Sequence, residues 1–243
     1  KELFLQDIVD VEYVPLETTD EFITHGAVKA VGPSVIITAN RSNQGDLFLF
    51  DRQTGKGIRK INRMGQSGEE YTQATSILLD EANGELFVND NPKQKILVYD
   101  LEGNFRRSFP TIDSCYYNDW QNYDASHLLV YKGVNQGGKR MEEHVLINKQ
   151  DGSLAQRIPI PLEQEETPIY TEKDAVVVPF YNVNAPMGDD WLLANPSTDT
   201  LYQYTKDGRL TPRFVRTPSI HGMEEQKFLL PQLCAHPYYF FTV

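Results

Sequence analysis

A strand that ends in a glycine turn recurs four times along this chain of 243 residues. The turn glycines are Gly55, Gly103, Gly152 and Gly208, so the interval is about fifty residues. Glycine accepts the positive φ angle that a tight hairpin turn needs, and an apolar or alternating run begins again shortly after each turn. A repeat of this length indicates that one supersecondary unit is used several times over.

Short runs of β-branched, leucine and aromatic side chains form a second recurring element. They cover residues 35–39, 86–90, 128–131 and 239–242. Each unit therefore reads as strand, turn, apolar strand, loop, strand, glycine turn and strand, and four short antiparallel strands make up a propeller blade. A two-sheet sandwich, the competing architecture, gives no reason for a fourfold repeat of the glycine turn. We predict an all-β fold, a β-propeller of four-stranded antiparallel blades.

The composition limits the partners that the chain can have. A hydrophobic fraction of 40% is enough for a buried core. The formal net charge of -11 repels phosphate backbones, so we predict no nucleic-acid partner. No run approaches the ~18 apolar residues of a membrane span. Cys115 and Cys234 are compatible with one disulfide or with two free thiols, and their spacing fits no metal motif.

Residues 65–109 resemble a propeller repeat of the NHL type. The resemblance lies in the segments GQSGEEY (65–71), ILLD (77–80), GELFVND (84–90) and KILVYDLEGNF (95–105). The wider chain resembles a six-bladed β-propeller family that is frequent among exported lipoproteins of anaerobic Gram-negative bacteria. That resemblance lies in VEYVPLETT (11–19), DWLL (190–193), STDTLY (197–202) and VRTPSI (215–220).

The resemblance implies a fold and a location, but little about activity. It implies export to the periplasm or cell surface of a Gram-negative bacterium, with a lipid anchor in the unprocessed form. We predict one propeller domain over residues 1–243, with blades centred near residues 45, 90, 140 and 195 and the first strands of a fifth. Since family members continue further, this domain is expected to be incomplete at its C-terminus. In the family, the segment near residues 11–18 completes the last blade and closes the ring.

The richest candidate for a ligand site is the polar and aromatic stretch at residues 116–123. In the repeat register Asp119 takes the place of Ile77, and Trp120 takes that of Leu78. Such a change lines a channel with hydrogen-bonding and stacking groups that suit a sugar or a peptide, although a water-lined strand without a ligand remains the alternative. The predicted ligand-binding residues are Tyr117, Asp119, Trp120 and Tyr123, together with Trp191 as a further aromatic. Trp191 is also compatible with a role in filling the space between blades.

No catalytic constellation can be assembled from the sequence. The chain has no H-x-x-x-H, H-E-x-x-H or G-x-S-x-G motif. We therefore predict a non-catalytic binding module without a cofactor, presenting a propeller face to a glycan, peptide or protein partner. The alternative is a metal-assisted, lactonase-like hydrolase or lyase with Ca²⁺ or Mg²⁺ held near the axis by Asp90 and Asp119, since such ions prefer oxygen ligands. A third reading is a scaffold that acts through an exposed blade edge.

Overall fold

The computed structural model describes residues 4, 6, 9–40, 45–136, 139–162, 170–172, 175–177, 182–224, 227–235 and 238–242. The described chain contains four four-stranded antiparallel sheets and two two-stranded hairpins. Short 3-10 helices cover Asn91–Lys93, Ile112–Ser114 and Ile220–Gly222. The predicted all-β fold of four-stranded antiparallel blades is confirmed. No helix of the described chain has the length and hydropathy that crossing a membrane requires.

The chain divides into two compact units, residues 1–108 and residues 109–243. The first unit holds the first blade and most of the second. The first blade consists of β1 (Ala27–Val31), β2 (Val35–Ala39), β3 (Asp46–Asp51) and β4 (Gly57–Asn62). The second blade consists of β5 (Ser76–Asp80), β6 (Glu85–Asp90), β7 (Lys95–Asp100) and β8 (Phe105–Pro110). In both blades consecutive strands are neighbours in the sheet, as in a simple meander.

The second unit holds two further blades and two hairpins. The third blade consists of β9 (Tyr117–Asn122), β10 (His127–Gln136), β11 (Lys139–Asn148) and β12 (Leu154–Ile158). A hairpin of β13 (Tyr170–Glu172) and β14 (Ala175–Val177) follows it. The fourth blade consists of β15 (Asn184–Met187), β16 (Asp190–Leu193), β17 (Thr200–Tyr204) and β18 (Leu210–Val215). The final hairpin consists of β19 (Leu230–Ala235) and β20 (Tyr238–Thr242), where the first strands of a fifth blade were expected.

The repeated glycine turn has a local physical cause. In the first blade the Asp51 carboxylate accepts the N–H groups of Gln53 at 3.1 Å and Thr54 at 2.8 Å, and Gly55 follows with a φ of 70°. In the second blade the Asp100 carboxylate accepts two N–H groups in the same manner, and Gly103 has a φ of 84°. An aspartate that closes a turn through its side chain, followed by a residue with positive φ, fixes the hairpin.

Each unit has its own apolar core. In the first unit the core contains Ile37, Leu49, Leu86 and Tyr99, which are fully or almost fully buried. In the second unit one cluster contains Leu129, Trp191, Leu193 and Tyr204, and another contains Tyr131, Val183, Leu192 and Leu201. The core residues Ile37, Leu86, Leu129 and Tyr131 come from the apolar runs of the predicted repeat, which form central strands of the blades. Residues 183 and 191–193 of the second core lie outside those runs.

The segment of residues 11–18 contains no strand. Its end lies against the hairpin turn of the first blade, where the N–H of Glu17 donates to the carbonyl of Gly55 at 2.8 Å. The Glu17 carboxylate accepts the N–H of Gly57 at 2.7 Å. Ring closure by this segment, the number of six blades and the extent of a single domain stay predictions.

Candidate functional site

A cavity of about 260 Å³ lies at one end of the first blade. It forms where β2 ends and β3 begins, beside the loop of residues 63–75 that leads to the second blade. Its apolar wall consists of Ala39, Leu47, Met64 and Ala74. The remaining lining residues are Lys29, Asn40, Gly45, Asp46, Thr72, Gln73 and Thr75. All of these residues belong to the first compact unit.

Hydrogen bonds fix the loop that forms one wall of the cavity. Tyr71 is fully buried, and its hydroxyl donates to the carbonyl of Gly45 at 2.6 Å. The Asp90 carboxylate accepts the N–H of Thr72 at 2.6 Å and the Thr72 hydroxyl at 2.8 Å. The Arg63 side chain donates to the carbonyl of Gly103 at 2.7 Å. Since hydrogen bonds hold both the loop and the strands of the first blade in place, the cavity is a preformed feature of the fold.

A β-bulge places a lysine at the cavity. Val28 pairs with Thr38 and Ala30 pairs with Ile37, so Lys29 is the extra residue of β1. A bulge bends a strand locally and redirects the side chain of the extra residue. Lys29 lines the cavity and makes no hydrogen bond or ion pair with any residue that the structure describes.

The second charged residue of the lining is already neutralised. The Asp46 carboxylate lies 3.1 Å from the Lys60 ammonium group and accepts a hydrogen bond from the Asn62 amide at 2.8 Å. Within the described lining, Lys29 is therefore the one charge that lacks a partner. The uncommitted polar groups beside it include the amide of Gln73, which is exposed.

The predicted ligand-binding residues lie elsewhere, in the second unit. Tyr117 and Trp120 are buried in β9, with ring centroids 6.4 Å apart. Trp191 is part of an apolar core cluster, and Tyr123 packs against the same cluster. The structure thus brings Tyr117, Asp119 and Trp120 together on one strand, and Tyr123 and Trp191 together in one core. Their assignment as ligand-binding residues stays a prediction.

Asp119 ties two blades of the second unit together. Its Oδ2 atom accepts the N–H groups of Val183 and Asn184, both at 2.9 Å, where the first strand of the fourth blade begins. Burial raises the pKa of the Asp119 carboxyl, and these two N–H donors act in the opposite direction. In the first unit the Asp90 carboxylate of β6 instead holds the loop of residues 63–75, through Thr72. The described residues contain no group of three or more His, Cys, Asp or Glu side chains that could hold a metal ion.

The two cysteines are free thiols. Cys115 is buried and Cys234 is partly buried, and burial raises the pKa of both thiols. A raised pKa lowers the thiolate fraction, which makes a thiol less reactive.

A comparison with protein families gives a match over residues 1–217 to the family described as Domain of unknown function (DUF4934). The chain belongs to this family. No curated protein matches it.

Solved structures are similar to this DUF4934 chain at low identity. A presumed exported protein from Bacteroides fragilis NCTC 9343 has 13% identity and a TM-score of 0.60, covering 88% of this chain and 57% of that chain. A member of the duf4221 family from Bacteroides vulgatus has 10% identity and a TM-score of 0.58, covering 90% of this chain and 64% of that chain. The DUF4934 chain therefore spans less than two thirds of either structure. At this identity the similarity concerns the fold alone.

The third blade of the DUF4934 chain also contains buried polar residues that the sequence did not single out. The Glu142 carboxylate accepts the Tyr131 hydroxyl at 2.7 Å and the Asn118 amide at 3.1 Å. His144 is fully buried beside Tyr131, and burial lowers the pKa of its imidazole to about 3. The sequence gives little signal of this, because the polar residues 142–144 of β11 form one run that precedes the apolar run of residues 145–147. A run of charged residues in a strand is equally typical of a solvent-exposed segment.

Proposed function

We propose that this protein is an exported, non-catalytic binding module that takes part of its partner into the cavity of the first blade. The observation that carries the proposal is the cavity itself. It combines an apolar wall, a loop held in place by hydrogen bonds, and a lysine that has no partner among the described residues. Binding sites are largely preformed concave regions in which apolar side chains and placed polar groups meet. This cavity is concave and combines an apolar wall with polar lining residues.

The size of the cavity indicates what portion of a partner enters it. Pockets for drug-sized ligands have volumes of roughly 300–1,000 Å³. A cavity of about 260 Å³ lies just below that range, so it accommodates one small group or a chain end rather than an extended ligand. The partner is accordingly a glycan, a peptide or a protein that inserts one residue or one end.

Similarity and sequence together support the proposed location. The similar Bacteroides fragilis structure is that of a presumed exported protein, and the chain resembles a family of exported propeller lipoproteins. We propose a six-bladed propeller with NHL-like repeats at the periplasmic or outer surface of a Gram-negative bacterium, anchored by a lipid in its unprocessed form.

Methyl NMR tests the proposed binding site. The chain has 4 methionines, so the ¹³C-methyl signal of Met64 is readily assigned through a Met64→Leu variant. The panel consists of glucose, N-acetylglucosamine, butyrate, and N-acetyl-Ala-Ala in its free-acid and C-terminal amide forms. We expect at least one compound to shift the Met64 signal while the signal of Met223, in the second unit, stays in place.

A variant that fills the cavity provides the control. Ala74→Leu adds bulk to the apolar wall and is expected to abolish the Met64 shift. Ala155→Leu, at an exposed position of β12, is the matched variant and should leave the shift intact. The proposal is overturned if no member of the panel moves Met64, or if binding survives in Ala74→Leu.

A further inference from the structure

We propose that the cavity recognises a carboxylate attached to a short aliphatic group, with Lys29 as the specificity-determining residue. This rests on the proposed function, and it names the chemical class of the group that enters. The same chemistry occurs at the C-terminal residue of a peptide and in a short organic acid.

The charge of the lining selects an anion. Lys29 and Asp46 are the charged residues of the described lining, and Asp46 is paired with Lys60 at 3.1 Å. An entering cation would meet a carboxylate that already has its ion pair, together with the uncompensated ammonium group of Lys29. An entering anion gives Lys29 the charge-assisted hydrogen bond that it lacks in the described chain.

The position of Lys29 makes this pairing specific to the cavity. The chain as a whole has a formal net charge of -11, so its long-range field repels anions. Attraction of a carboxylate must therefore come from a local cation. The bulge in β1 supplies that cation, because Lys29 is the residue without a partner position in the strand ladder.

The uncharged lining selects what is attached to the carboxylate. Its apolar wall is aliphatic, formed by Ala39, Leu47, Ala74 and the thioether of Met64. The described residues that line the cavity include no aromatic ring, so the platform on which a sugar ring stacks is missing there. A methyl or short alkyl group packs against such a wall, while the amide of Gln73 is available to a peptide group or to a second oxygen of the ligand.

Titration of paired compounds tests this inference. N-acetyl-Ala-Ala with a free carboxylate is compared with its C-terminal amide, and butyrate serves as the free organic acid. The Met64 methyl signal reports binding to the cavity. We expect the free-acid peptide to bind about fivefold to tenfold more tightly than the amide, which corresponds to the loss of one charge-assisted contact at a partly exposed site.

Variants of Lys29 identify the group responsible. Lys29→Gln should reduce the affinity of the free acid to that of the amide, and Lys29→Arg should retain most of it. Lys56→Gln changes an exposed lysine in the turn between β3 and β4, at the end of the blade away from the cavity, and is the matched control that should change neither affinity. A wild-type circular dichroism spectrum and an unchanged urea midpoint in each variant confirm that the fold is intact.

The outcomes separate this inference from the proposed function. Preference for the peptide acid over butyrate supports a peptide terminus, and equal affinity supports a short organic acid. If the amide binds as tightly as the acid, or if only the neutral sugars shift Met64, carboxylate recognition is wrong although the cavity still binds. If nothing in the panel shifts Met64, both proposals fail.

Discussion

The first and third blades both contain one extra residue in their first strand, and the two residues have opposite environments. In β1 the extra residue is Lys29, which is exposed at a cavity and has no partner among the described residues. In β9 the extra residue is Asn118, because Lys132 pairs with Tyr117 and Tyr131 pairs with Asp119. The Asn118 amide donates to Glu142 at 3.1 Å.

The difference extends beyond the two bulges. Around the third blade Asp119, Tyr131 and Glu142 all have hydrogen-bond partners within the core, so their polarity contributes to the packing of the second unit. In the first blade β2 and β3 are mostly apolar, and Lys29 lines a cavity without a described partner. We therefore propose that polar residues mark a binding site where they line a cavity and have no described partner. The following predictions test that distinction, from the largest expected effect to the smallest.

Removal of the Asp119 carboxylate should have the largest effect on stability. Asp119→Ala leaves the N–H groups of Val183 and Asn184 buried without their acceptor, and each such group costs about 1–3 kcal/mol. We expect the free energy of unfolding in urea to fall by about 3 kcal/mol. Asp119→Asn keeps an acceptor oxygen and should lose less than half as much. A change below about 0.5 kcal/mol in Asp119→Ala would refute the structural role.

The buried imidazole of His144 should make the second unit sensitive to acid. The pKa of His144 is lowered from 6.5 to about 3 in the folded protein. Below pH 6.5 the imidazole therefore binds a proton in the unfolded chain but stays neutral in the folded chain. Stability is fully present above that pH and should decrease by about 1.4 kcal/mol per pH unit between roughly pH 6 and 4. The raised pKa of Asp119 acts in the opposite direction, since its protonation favours the folded state.

Comparison of the wild type with His144→Phe isolates this contribution. Urea midpoints are measured from pH 7 to pH 4 for both proteins. The wild type should lose more stability than the variant over that interval, because the variant has no imidazole to protonate. Parallel curves would show that His144 does not remain neutral in the folded state.

A side chain added at Gly45, which lines the cavity, should have an intermediate effect on stability. Gly45 has a φ of +73°, and an added Cβ would lie 2.7 Å from the Cβ of Met64. Gly45→Ala should destabilise the first unit by about 1–2 kcal/mol and shift the Met64 methyl signal. Gly26→Ala shares the positive φ of +69° but has nothing within 4 Å, so it measures the backbone effect alone. Equal losses of stability in the two variants would show that the Met64 side chain moves aside at no cost.

The two bulge residues themselves should give the smallest effects and the most direct contrast. Asn118→Ala removes a donor from a buried carboxylate and should cost about 1 kcal/mol in urea unfolding. Lys29→Gln should change stability by less than about 0.5 kcal/mol, because the described chain offers Lys29 no partner to lose. A larger loss for Lys29→Gln than for Asn118→Ala would reverse the comparison.

The sequence predicted the blades well because their pattern is local. Turn glycines such as Gly55 and Gly103 are held by aspartates three or four residues earlier, so the repeat can be read within one hairpin. The four blade positions and the hairpin at residues 230–242 agree with the prediction. The hairpin of β13 and β14 was not predicted, since it has no glycine turn of the repeated kind.

The candidate site could not be predicted because it depends on distant contacts. The role of Asp119 in holding the fourth blade depends on its hydrogen bonds to Val183 and Asn184, which are 64 and 65 residues away. The importance of Lys29 comes from one extra residue in a strand ladder, and the periodicity of β1 does not reveal that register. The cavity needs a loop tied by Tyr71 and Asp90, whose partners are 26 and 18 residues away.

The hydrogen bonds between Asp90 and Thr72 have a consequence for how this protein could have evolved by duplication of one repeat. One wall of the cavity belongs to the first blade, while the opposite wall is anchored on the second. A single duplicated blade would carry the lysine and the loop but not the Asp90 carboxylate that anchors the loop. The smallest unit that would carry the proposed site is therefore a pair of adjacent repeats, and recombination within that pair would separate Lys29 from the residue that anchors the facing loop.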